Sequence, residues 1–186
     1  MKKAVGLLLL VFLLSGCSGA SKEIERGMAL RAKLLKAASC SFDTQITADY
    51  GDKTYRFSMA CQGDDQGNLT FTVTAPETIA GITGQVTSQG GKLTFDDAAL
   101  QFDLMADDQV TPGSAPGILL KTLRSGYLTA AGTEGDRLRL TIDDSYEDDA
   151  LTLDIWLDAS DLPERAEILY DGRRILSLSV ANFQVS

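Results

Sequence analysis

The sequence predicts an α+β domain in which a large, curved antiparallel β-sheet is backed by one N-terminal helix and a short helical insertion. Three observations predict it. Apolar residues recur with a helical period over residues 22–38, and at Cys40 the period changes to two and persists through about ten short runs. The alternation is interrupted at residues 117–124 by a compact apolar run that follows Pro112 and Pro116 and precedes Gly126. Short turns join most of the alternating runs, so sequential strands pair antiparallel, and that much sheet must curl or fold over to bury its apolar face.

The chain opens Met1-Lys2-Lys3, runs apolar from Ala4 to Leu14 with Gly6 as the interruption, and continues Leu14-Ser15-Gly16-Cys17. That is the order of a signal peptide. A permanent membrane span needs about 20 apolar residues, so this run is expected to be removed. Leu-Ser-Gly-Cys resembles the lipobox of bacterial lipoproteins, which implies cleavage before Cys17 and a covalent lipid on its thiol, with no other cofactor. The expected organisation is a signal peptide at 1–16, an acylated tether at 17–21 and a single domain at 22–186. The location is then extracytoplasmic, lipid-anchored on the outer side of the cytoplasmic membrane or in the outer membrane.

Loss of Lys2 and Lys3 with the leader takes the formal net charge from −9 to −11. So acidic a chain is a poor partner for nucleic acid, and its net charge argues against electrostatic binding to anionic lipid beyond the anchor. It contains no histidine, which removes Ser-His-Asp and Cys-His catalysis and the usual zinc sites.

Within 22–38, Ile24, Met28, Leu34, Leu35 and Ala38 are expected to form the buried stripe of a helix, with Glu23 and Glu25 early and Lys33 and Lys36 late to suit its dipole. Next comes a hairpin. Phe42, Thr44, Ile46 and Ala48 alternate with polar residues, as do Tyr55, Phe57, Met59 and Cys61. If Tyr50-Gly51 is a two-residue loop, Cys40 falls opposite Cys61 with Cα atoms about 4.5 Å apart, within reach of a disulfide. If Gly51-Asp52 is the loop, the cysteines are offset by two residues. In an exported protein a Cys40–Cys61 disulfide is the expectation, contributing on the order of 3 kcal/mol, with two buried thiols as the alternative.

Further strands are expected at 69–74, 82–88, 92–95, 100–104, 137–142, 151–157, 165–170 and 174–183. The insertion, Gly117 to Arg124, places Ile118, Leu119, Leu120 and Leu123 against the sheet, and the segment from Gly113 to Gly117 is either the hinge of a lid or a plain loop. Asp143-Asp144-Ser145-Tyr146-Glu147-Asp148-Asp149 offers oxygen ligands for calcium but lacks the spaced order of a dedicated loop; a solvated turn that guards strand edges explains it as well. No metal site and no catalytic pair is assigned. Trp156 shares a face with Asp154 and Asp158, and is either packed under the N-terminal helix or exposed as a contact.

One N-terminal helix, a long meander and a helical insertion before the last strands resemble the periplasmic lipoprotein-carrier (LolA/LolB-like) superfamily, a half-barrel closed on its open side by helices. The closing stretch, Leu162-Pro163 leading into a strand, an Asp171-Gly172 turn and a last strand ending near Phe183, is similar to the C-terminal hairpin of that superfamily. The resemblance implies a hydrophobic cavity, with Ile118, Leu119 and Leu123 touching a lipid or acyl-chain ligand beneath a lid. It leads to a non-catalytic binding lipoprotein, with an envelope protein-binding adaptor or sensor as the alternative. A large open apolar cavity favours the first; a filled interior with an exposed apolar patch favours the second.

Overall fold

The computed structural model describes residues 18–49, 51, 53–96, 98–103, 105–106, 109–144 and 151–186. The leader, Cys17 and most of the acidic run 143–149 lie outside them. Helix α1 (Ser18–Lys36) precedes a first meander of β1 (Ser39–Asp49), β2 (Thr54–Asp64), β3 (Leu69–Ala75), β4 (Thr83–Thr87), β5 (Gly90–Phe95) and β6 (Ala98–Phe102). A small ribbon of β7 (Met105–Ala106) and β8 (Gln109–Val110) leads to helix α2 (Ala115–Ser125). The second meander follows: β9 (Tyr127–Glu134), β10 (Arg137–Asp143), β11 (Leu151–Leu157), β12 (Pro163–Tyr170) and β13 (Arg173–Val185).

The long strands form one antiparallel sheet ordered β6-β5-β4-β3-β2-β1-β13-β12-β11-β10-β9. The two meanders are therefore joined where the first long strand meets the last, from Cys40 opposite Val185 to Ala48 opposite Leu176. The sheet curves without closing, and α2 enters the chain between the two meanders. Alternation puts Phe42, Thr44, Ile46 and Ala48 of β1 and Leu138, Leu140 and Ile142 of β10 on the buried concave side, as their spacing predicts.

Strand β9 escapes a sequence reading. Its residues, Tyr-Leu-Thr-Ala-Ala-Gly-Thr-Glu, carry too little bulk to alternate visibly, and what makes it a strand is the ladder to β10.

Helix α1 begins at Ser18, so the residues expected as a tether make its first turn, and it ends before Ala38. Its buried stripe also differs from the expected one. Gly27, Leu30 and Leu34 face the sheet, while Ile24, Met28 and Leu35 are 42%, 45% and 55% exposed. Gly27 favours this rotation: a Cβ there would lie 2.9 Å from Leu140 Cδ2 and 3.5 Å from Leu128 Cδ2, so any side chain would have to displace Leu140 for the backbone to approach this closely. Its absent side chain is invisible to a count of apolar residues. Gly27→Val is expected to destabilise the domain by about 1–3 kcal/mol, read as a lowered urea midpoint, with Gly27→Ala milder.

The hairpin register is a second correction. Asp49 pairs with Thr54, so four residues form the loop, Cys61 lies opposite Phe42, and Cys40 lies opposite Gly63. The cysteines are thus diagonal neighbours, about 7–8 Å apart in such a ladder, beyond ordinary disulfide geometry. Both are free and buried, and the Cys40 Sγ occupies the space a Cβ on Gly63 would take. Burial pushes both thiols above their ordinary value, Cys61 the further, which favours the inert, protonated form. Ellman titration of protein unfolded without reductant is expected to find both thiols, and the native fold to react far more slowly; a thiol count of zero would restore the disulfide.

Candidate functional site

The open side of a half-barrel is where a ligand would enter, and here α2 occupies it. Pro112 starts a short 3-10 turn (Pro112–Ser114), in which the Ser114 hydroxyl donates to the Thr111 carbonyl at 2.7 Å, and the helix follows directly. The eight residues Ala115 to Thr122, apart from Lys121, are buried together with Leu123. Ile118, Leu119 and Leu123, expected to touch a ligand, are 3%, 1% and 2% exposed and belong to the same core as Phe71, Val86 and Leu140. Each such side chain contributes about 1.5–3 kcal/mol of burial.

Three glycines permit this depth. A Cβ on Gly63 of β2 would strike Leu120 Cδ2 at 2.4 Å, one on Gly117 would strike Val86 Cγ1 of β4 at 2.6 Å, and one on Gly126 would strike Ile142 Cγ2 of β10 at 2.5 Å. The helix therefore touches both meanders. Gly117, expected in a lid hinge or a plain loop, is a buried packing position within the helix.

Arginines pin the helical layer. From α1, Arg31 donates to the carbonyls of Leu123 (2.9 Å) and Gly126 (2.6 Å), which satisfies groups at the C-terminus of α2 where a cation also suits the helix dipole. Arg26 reaches Asp161 in the turn between β11 and β12, with Nε to Oδ1 at 2.9 Å, and that contact raises the guanidinium further. From α2, Arg124 donates to the carbonyls of Asp64 and Asp65 in the turn between β2 and β3, and Lys121 pairs with the buried Asp144 at 3.2 Å.

The apolar pocket at this mouth is a cleft of 310 Å³ between the end of α1, α2 and the neighbouring turns, lined by Leu35, Val86 and Ile118 with Lys121 and Arg124 at its rim. A larger groove of 550 Å³ lies on the convex face, where Ser41, Gln62, Thr70, Thr72, Gln85 and Lys92 line it together with Ala60 and Phe71.

Trp156 takes neither of its expected places. It is 5% exposed on the face opposite α1, sandwiched by the guanidinium groups of Arg165 (4.4 Å) and Arg139 (5.3 Å), with its Nε1 donating to Glu134 at 3.0 Å. Asp154 beside it accepts from Arg139 Nη2 at 2.6 Å and from the Thr141 hydroxyl at 2.7 Å. This cluster staples β9 through β12 together and leaves its carboxylates engaged. Among the described residues no group of three or more potential ligands is placed to hold a metal ion.

The chain superposes on a domain assigned to outer membrane lipoprotein sorting from Vibrio parahaemolyticus with a TM-score of 0.52 at 9% identity, over 90% of this chain and 94% of that one. The fold is the LolA-like half-barrel. A LolA superfamily protein from Nitrosomonas europaea matches at a TM-score of 0.45 and 9% identity over 86% and 93% of the two chains. The lipoprotein LppX from Mycobacterium tuberculosis matches at 0.41 and 14% over 87% and 93%. No protein-family model and no curated protein matches the sequence. The likeness thus concerns fold alone, and in this chain α2 fills the mouth of the half-barrel.

The turn that Arg124 holds is also pH-sensitive. The Asp64 carboxylate accepts from the side chain and backbone of Asn68, at 2.9 and 2.8 Å, and these bonds hold its pKa below the ordinary 3.8. A depressed carboxyl contributes stability above its unfolded pKa and loses it as pH falls through the folded one. An NMR titration of Asp64 is expected to give a midpoint below 3.8. Asp64→Ala is expected to cost about 1 kcal/mol at neutral pH and to flatten the acid limb of the stability profile.

Proposed function

We propose that this chain is a lipid-anchored, non-catalytic protein-binding module of the bacterial cell envelope, an adaptor or sensor rather than a carrier. One observation supports this above the others: the side chains that would line a carrier's cavity, Ile118, Leu119 and Leu123, are spent on the protein's own core. The anchor is the lipid expected on Cys17. Among the described residues no helix is long and apolar enough to cross a membrane.

The contact surface that best fits a protein partner is the free edge at β9. The sheet ends in β6 on one side and β9 on the other. Strand β6 has five residues and lies between Asp96 and Asp103, whereas β9 has eight and is uncharged from Tyr127 to Thr133. Edges are ordinarily guarded by charge, proline or brevity, and β9 uses none of these before Glu134. Such an edge can accept an extended segment of another protein as an added strand, with backbone hydrogen bonds supplying affinity. Tyr127, 65% exposed, offers an aromatic anchor at one end.

A second reading, retention of an acyl chain, is favoured by the apolar lining of the 310 Å³ cleft at Leu35, Val86 and Ile118. Its size is near the lower bound for a small-molecule site, about 300 Å³. Extraction of the purified protein under organic solvent followed by mass spectrometry separates the two readings. The adaptor reading expects no lipid beyond that on Cys17, and a stoichiometric second apolar molecule would replace it with the carrier reading.

A further inference from the structure

The net acidity of the chain conceals a strong polarity. Of its 17 lysines and arginines and 26 acids, α1 and α2 hold seven of the former and only two of the latter, Glu23 and Glu25. Lys2 and Lys3 lie in the leader, so the strands and turns keep eight basic residues against 24 acids. The helical layer is thus +5 and the rest of the domain −16. Within that layer Lys22, Lys33 and Lys36 are exposed, and so are the apolar Ile24, Met28 and Leu35 along one flank of the same helix.

We propose that the outer face of α1 docks on an anionic lipid surface, so that the domain lies with its helices against the membrane and its acidic sheet turned away. Two facts choose lipid over other occupants. The face pairs exposed apolar side chains with lysines whose long stems can carry their charge to headgroup level, the composition of an interfacial helix. The chain before Ser18 is the apolar run Ala4 to Leu14 closed by Cys17, and α1 starts at the very next residue. An anchor at Cys17 therefore delivers this helix, with no linker between, to the headgroups. Repulsion between the sheet and anionic lipid favours the same orientation. The proposal rests on the anchored reading only for that delivery; the face itself is a property of the folded domain.

The test uses the processed chain purified from bacterial membranes and mixed with vesicles of phosphatidylcholine alone or with phosphatidylglycerol. Flotation reads attachment, and acetylation of lysines, followed by mass spectrometry, reads orientation. Lys22, Lys33 and Lys36 are expected to react about fivefold more slowly on the anionic vesicles than on the neutral ones, with the difference lost in high salt, while Lys53 and Lys92 of the sheet side react equally on both. A Lys33→Glu, Lys36→Glu variant should still float but lose the protection of Lys22. Flotation on both vesicles with equal labelling would leave the anchor intact and overturn the docking. No flotation on either would overturn both. Protection seen only in intact cells would place an acidic protein on the face and likewise overturn the proposal.

Discussion

An open antiparallel sheet of eleven strands presents one continuous apolar face, and the structure depends on how that face is covered. Barrels solve the problem by closure; this sheet curves but stops short. The cover is α2, inserted between the meanders with Leu119, Leu120 and Leu123 pointing into the concavity and seated by the missing side chains of Gly63, Gly117 and Gly126. Helix α1 covers the flank over β9 and β10, where Gly27 permits close approach, and its Arg31 satisfies the end of α2. Sheet curvature, helix insertion and the arginine contacts form one interdependent arrangement.

That arrangement also limits what the molecule can do. A half-barrel whose mouth holds a mobile cover can exchange its contents for a ligand, but one whose cover is part of the core must break tens of dispersion contacts to do so. The surfaces left for recognition are the outer ones: a long uncharged edge at β9, a convex groove, and a helical layer whose charge is opposite to that of the sheet.

Much of this was legible in the residues. Period-two alternation located ten of the eleven strands of the main sheet, and the apolar run from Gly117 to Arg124 located α2. The resemblance of the closing Leu162-Pro163 strand and Asp171-Gly172 turn pointed to the half-barrel that the superposition shows. The misses have a common cause, in that they turn on atoms that are absent or far apart in sequence. Gly27 favours the rotation of α1 by having no side chain, so periodicity alone places the exposed Ile24 and Met28 in the core. The four-residue loop after Asp49 shifted Cys40 from Cys61 to Gly63. Arg31 finds its carbonyls 92 and 95 residues away, and Arg26 finds Asp161 across 135. Net charge averaged over a basic layer and an acidic one, and so concealed both.

The central claim is that α2 is a permanent part of the core, and amide hydrogen exchange tests it most directly. In the isolated protein the amides of residues 118–125 should exchange as slowly as those at the β1–β13 seam, and their protection should not change when a fatty-acid probe is added. Fast exchange confined to α2, or protection there that rises only with the probe, would show a cover that opens to a ligand and would contradict the account.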